Sequence, residues 1–186
     1  MERSSLEQHK DQEGKLSRRC IYEGHVISCV VDKITRLDGK EKSYELVKHP
    51  GAVAVIPIAA NGDLILIKQW RYAAQQVMIE LPAGLLESGE PPIECAQREL
   101  REEIGMRAKV MTSIGGFFTA PGFCNEYIHL FVAKELTCDP LVAEDTDSID
   151  QMSMPLEKIL KIIETGGILN SITMTALFRY KQWAGL

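Results

Sequence analysis

Residues 84 to 106 read GLLESGEPPIECAQRELREEIGM, and the second half of this stretch coils in a way that decides the rest. Pro91 occupies a first-turn position where a missing N–H is harmless, and Gly105 follows the last periodic residue, so the spacing predicts a helix over residues 91–104. At 100° per residue, Ile93, Ala96, Leu100 and Ile104 form a core-facing stripe, and Glu99, Glu102 and Glu103 share an arc of about 100° beside it. Acidic helix faces are commonly no more than solvated surface. Here, however, Glu99 and Glu103 are like charges one turn apart, which costs an isolated helix roughly 0.2–0.5 kcal/mol, and only Glu102 has a basic residue, Arg98, one turn before it. A cation is needed to compensate. Clustered carboxylate oxygens suit Mg²⁺ or Mn²⁺, which bind a few carboxylates and share the remaining coordination with water and phosphates.

Upstream of this helix the chain is rich in strand patterns. HVISCVVDKI and SYELVKH flank LDGK, where Asp38-Gly39 is a strong hairpin turn because glycine tolerates positive φ. GAVAVIPIA and DLILIKQW follow, joined by Asn61-Gly62 and expected as a second, core-forming hairpin, with Trp70 in the core. Downstream, KVMTSIGGFF and YIHLFVAKEL read as strands. AEDTDSID is an acidic loop, and a last helical region begins near Pro155 and resumes after Gly166-Gly167. Strands interleaved with helices without regular βαβ repetition suggest an α+β sandwich. The expected division is a mobile polar tail over 1–19, a small antiparallel β unit over 20–49 and a larger domain over 50–186.

A chain of 186 residues, 45% hydrophobic, can bury a substantial core. A formal charge of −5 argues against nonspecific nucleic-acid binding, which runs on basic patches, although a divalent cation can invert the sign of an acidic site for a small diphosphate ligand. The 5 cysteines include no C-x-x-C pair, which favours a reducing compartment. The opening MERSSLEQHKDQEGKLSRR lacks the apolar stretch of a secretory signal, and no apolar run is long enough to span a membrane. A cytoplasmic protein with no membrane or nucleic-acid partner is expected.

The stretch at 84–106 resembles the Nudix hydrolase signature at every required position: Gly84, Glu90, Arg98-Glu99-Leu100, Glu102-Glu103 and Gly105-Met106. That resemblance implies a Nudix α/β/α sandwich that hydrolyses nucleoside diphosphates linked to another moiety, with Mg²⁺ or Mn²⁺ as cofactor. It implies that Glu99 and Glu103 bind metal, that Glu102 binds metal or orients the water, and that the carbonyl of Ala83 is a further ligand. Glu90 and Arg98 would brace the loop–helix geometry, and Gly84 and Gly105 would supply backbone conformations that other residues disfavour.

Three features resemble the ADP-ribose and nucleotide-sugar pyrophosphatase subgroup: Pro121 fifteen residues beyond Met106, the IKQWRYA segment, and the β unit leading into YELVKHPGAVAVIP. By that resemblance Arg71 contacts the substrate diphosphate or terminal ribose, and Glu80 lies beside the metal site and binds substrate. Tyr22, Tyr44 and His49 are weaker candidates for nucleobase stacking, in a unit that would also make a homodimer. The general base of the subgroup falls on the loop before the final helices. This chain has EDTDSID there, so the matching position holds Asp147, an aspartate where the subgroup has glutamate, and Glu144 three residues earlier is the second candidate. ADP-ribose is the leading substrate. GDP-mannose or another nucleotide sugar, a dinucleotide, and a non-catalytic nucleotide-binding module are the alternatives.

Overall fold

The computed structural model describes residues 15–142 and 149–186. The described residues divide into two compact units, one made of residues 15–50 with 120–126, the other of 51–119 with 127–142 and 149–186.

In the first unit, β1 (Lys15–Glu23), β2 (Ser28–Thr35) and β3 (Glu41–Lys48) form an antiparallel sheet. The Asp38-Gly39 turn closes the β2–β3 hairpin as expected: Gly39 has φ 79°, and Arg36 N–H donates to Lys40 at 2.8 Å. The first strand begins at Lys15, so the end of the expected polar tail is strand instead. Alternating polar residues conceal it, because Arg18 is held by a bidentate ion pair to Asp32 across the β1–β2 ladder, at 2.7 Å for each bond. Residues 120–126 attach to the edge of β3. Val47 N–H donates to Phe123 and receives Asn125 N–H at its carbonyl, while the Asn125 side chain bonds both backbone groups of His49. Arg19, Ile21, Cys29, Val31, Val47 and Phe123 line a concavity of about 570 Å³.

The second unit holds two sheets. One runs in the order β7 (Ala83–Leu85), β4 (Ala52–Pro57), β9 (Tyr127–Cys138), β8 (Met106–Phe118), with β4 and β9 parallel; the other is β10 (Asp150–Met154), β5 (Leu64–Arg71), β6 (Gln76–Glu80). Helices α1 (Pro92–Glu103), α2 (Leu156–Glu164) and α3 (Ser171–Ala184) complete it. Strand β4 is buried at every residue, as a strand covered on both faces must be. Ala52, Ala54 and Ile56 join one core with Leu130, Ile159 and Leu177, which includes α2 and α3; Val53 and Val55 join another with Leu100, Ile104 and Phe131, which includes α1. Helices on both faces of the sheets make this the expected α/β/α sandwich.

The Asn61-Gly62 turn forms, with Gly62 at φ 88° and a single Ile58–Leu64 bridge, but its two arms then part into different sheets. Each arm is apolar on both faces and finds its own partners, so the expected simple hairpin becomes the junction between sheets. Trp70 is 49% exposed rather than in the core, since β5 outruns the packed layer towards its end. Near the end of β8 one extra residue bulges between Ser113 and Gly116, with Gly115 at φ 92°. Arg179 of α3 clamps the bulge by donating from Nε to the Ile114 carbonyl at 2.9 Å.

Candidate active site

The site is built on α1 and on the β6–β7 segment packed near it. Pro92 opens the helix, and Gly105, at φ 66°, follows its end in the left-handed conformation expected of it. The buried arc of α1 differs from the expected stripe. Ile93 is 46% exposed, Cys95 is fully buried, and Glu99 and Glu103 are themselves only 7% and 8% exposed. These two glutamates lie within the buried face rather than beside it.

Gly84 explains how Glu99 fits. A Cβ at that position would collide with the carboxylate of Glu99, so Gly84 serves close approach, and a left-handed backbone is not the reason for it. Glu103 accepts a hydrogen bond from the Ala83 amide at 2.9 Å, which ties the end of α1 to the loop that begins β7. Burial first, then the neighbouring Glu99, pushes the Glu103 carboxyl up to about 8, and burial likewise raises Glu99.

Arg98 knits the start of the unit. Its Nε and Nη2 grip both oxygens of Glu90 at 2.9 Å, Nη2 also reaches the Leu85 carbonyl at 2.9 Å, and Nη1 donates to Glu99 at 2.6 Å and Glu102 at 3.1 Å. The fork of Arg98 holds Glu90 down to about 2, well below the usual carboxylate range. Sequence reasoning missed Cys95, whose buried thiol donates to the Leu85 carbonyl at 3.3 Å. It also missed Thr173, whose hydroxyl accepts the buried Leu81 amide at 3.0 Å and so fixes the chain next to Glu80. A threonine inside the first turn of an Asn-capped helix carries no signal of that distant partner.

Arg71 and Glu80, singled out separately in the sequence, meet as an ion pair. Arg71 Nε lies 3.1 and 3.0 Å from the two oxygens of Glu80, which is 1% exposed, and this pairing raises Arg71 above its ordinary value. The pair feels the Glu103 charge, so arginine, Glu80 and the α1 carboxylates form one electrostatic group. Tyr22, Tyr44 and His49 belong to the other unit. Tyr22 pairs with Cys29 and Tyr44 with Asp32, on opposite faces of the sheet, so the two rings cannot sandwich one base within that unit. His49 Nε2 lies 3.5 Å from Glu126. Asp147 and Glu144 fall outside the described residues.

Among the described residues, no three His, Cys, Asp or Glu side chains converge as a ready cage. Mg²⁺ does not require one, because it takes one or two carboxylates and keeps water and phosphate oxygens. Two nearly buried carboxylates, raised above their ordinary values first by burial and offering hard oxygens, fit such an ion.

A NUDIX domain match spans residues 48–171. The chain belongs to the Nudix family. It is 37% identical over 168 residues to an ADP-ribose pyrophosphatase of Bacillus subtilis, covering 89% of this chain and 91% of the relative. It is 35% identical to a methanol dehydrogenase activator of Bacillus methanolicus over the same shares of the two chains. Among solved structures, an ADP compounds hydrolase superposes with a TM-score of 0.82 at 22% identity, covering 94% of this chain and 95% of that one, a likeness of fold. The Nudix segment of 84–106 is thus the loop–helix unit whose glutamates α1 buries.

Proposed function

We propose that this Nudix pyrophosphohydrolase cleaves the diphosphate of a nucleoside diphosphate sugar, with ADP-ribose giving AMP and ribose 5-phosphate. The observation that carries this is the buried Glu99–Glu103 pair beside the Arg71–Glu80 group, an acidic cluster that calls for a cation next to an arginine fork suited to phosphate oxygens. Glu99 and Glu103, with Glu102 and the Ala83 carbonyl, would hold Mg²⁺ or Mn²⁺. Bound there, the ion neutralises charge on the departing phosphate and favours water as nucleophile. Arg71 exchanges part of its Glu80 contact for the substrate diphosphate, and Glu80 keeps the guanidinium aimed. Asp147, or Glu144 in its place, accepts the proton of the attacking water. Asp147→Asn alone should then lose on the order of 10²–10⁴ in kcat with little change in KM. Equal small losses in Asp147→Asn and in Glu144→Gln would reject that role.

The first unit would form a homodimer and hold the base through Tyr22, Tyr44 or His49. Its exposed Ile21 and Phe123 on the open concavity support an apolar contact there. Light scattering of the whole chain and of a chain lacking residues 20–49 tests this; a fully active monomer would contradict it. All 5 cysteines are free, which supports a reducing, cytoplasmic setting. The deciding experiment is turnover of ADP-ribose, GDP-mannose, NADH and diadenosine polyphosphates with Mg²⁺ and with chelator. Its NADH arm addresses a second reading, a dinucleotide substrate, favoured by the relative named for activating a dehydrogenase.

A further inference from the structure

Gln69 stands one strand step from Arg71, and its side-chain oxygen is buried without a hydrogen-bond partner, the one such atom among the described residues. An orphaned buried polar atom loses its bonds to water and gains none in return, so a fold that keeps one demands a reason. Its surroundings in the fold offer no partner. On β5, Ile65 and Ile67 pack into the α1-side core, and alternation places Gln69 and Arg71 on that same face. Across the ladder Gln69 is paired with Met78, while Glu80 is paired with Ile67 and Gln76 with Arg71. Arg71 reaches Glu80 from four rungs away, with one rung of the same face, Gln69–Met78, between them, so its guanidinium runs back along the strand over that rung. Gln69 therefore lies in the floor beneath the arginine–glutamate pair of the active site.

We infer that Gln69 is a substrate-positioning and specificity-determining residue whose amide binds a ribose hydroxyl of the nucleotide sugar. This rests on the function proposed above. The chemistry selects the group. A diphosphate at neutral pH offers acceptors only, which an inward amide oxygen cannot use. A hydroxyl both donates and accepts, so it satisfies the buried end of the amide whichever way the amide is turned. A site that keeps a polar group unpaired until the hydroxyl arrives rejects ligands that lack it, because the orphan then persists in the complex.

The test uses the full chain with Mg²⁺, ADP-ribose, and ADP-ribose analogues each lacking one hydroxyl of either ribose. Gln69→Met keeps length and removes the orphan, so its thermal midpoint should equal or exceed that of the unaltered chain, and Gln69→Leu serves as a second apolar variant. On ADP-ribose the variants should raise KM about tenfold with kcat little changed. One analogue should show the same loss with the unaltered chain and no further loss with the variants, which names the hydroxyl and the ribose that carries it. Unchanged KM would overturn the inference and leave the orphan to a bound water. An equal additional loss on every analogue would also overturn it, because that marks a purely structural role. If the unaltered chain does not hydrolyse ADP-ribose at all, it is the functional reading that fails, before any variant is compared.

Discussion

The two ends of the same loop–helix segment treat their carboxylates in opposite ways. At the start, Glu90 is gripped by both arms of Arg98 and is held down to about 2. At the far end, Glu103 has one backbone N–H, a buried setting and Glu99 for a neighbour, and is pushed up to about 8. The first carboxylate is satisfied by the protein and serves shape; the second is left short of positive charge. Burial alone does not separate the two roles, but the identity of the partner does. Arg98 turns its donors mainly to the start, which leaves Glu103 only the charge of Arg71, a guanidinium already held by Glu80.

The largest effect should come from breaking the unsatisfied end. Glu103→Gln is expected to lower kcat on the order of 10³-fold at saturating Mg²⁺ while raising the thermal midpoint of the metal-free protein. A variant that turns over normally in chelator would reject the distinction. Breaking the satisfied end should act on stability instead. Arg98→Met leaves Glu90, Glu99 and Glu102 without their shared cation, and urea unfolding should report a loss of about 3–5 kcal/mol.

A pH series sharpens the contrast. Glu103 is raised above its unfolded value, so its contribution is complete below that value and is lost as pH climbs through about 8. Metal-free protein should thus weaken between about pH 5 and 8, and Mg²⁺ or Glu103→Gln should flatten the slope. Glu90 is lowered, so its contribution is present above the unfolded value and fails only as pH falls towards about 2. Calorimetry that finds no alkaline weakening would remove the electrostatic basis of the comparison. The smallest effect is expected from Thr173→Val, which strands the Leu81 amide: a loss of about 1–3 kcal/mol, with kcat changed only modestly.

The local signals in the sequence were strong where one residue type dictates geometry. Asp38-Gly39 forms its turn, Gly105 follows the end of α1, whose start falls at Pro92 with the expected Pro91 as its cap, and the Gly166-Gly167 break separates α2 from α3. What could not be read was set by distant partners. The Asn61-Gly62 turn is local and correct, whereas the parting of its arms depends on β9 and β6. Ile93 and Trp70 obey the periodicity of a buried face yet lie where the packed layer ends. The glutamates of α1 were legible as a cluster; their burial was not, because it depends on the missing side chain of Gly84. Gln69 stood in a segment already singled out, but only the absence of a partner distinguishes it.

The clamped bulge in β8 bears on how this chain tolerates changes in length. Before it, Ile114 faces the core that holds α2 and α3; after it, Phe117 takes that side, and Phe118 lies against Tyr127 on the other with ring centroids 4.9 Å apart. The extra residue acts as a phase shifter. Deleting a single glycine from the Gly115-Gly116 pair would turn the end of the strand over, swapping a packed phenylalanine for a half-exposed one, and the guanidinium of Arg179 would lose the carbonyl it holds. Loops elsewhere can absorb small insertions and deletions, but at this point the chain is counted to the residue.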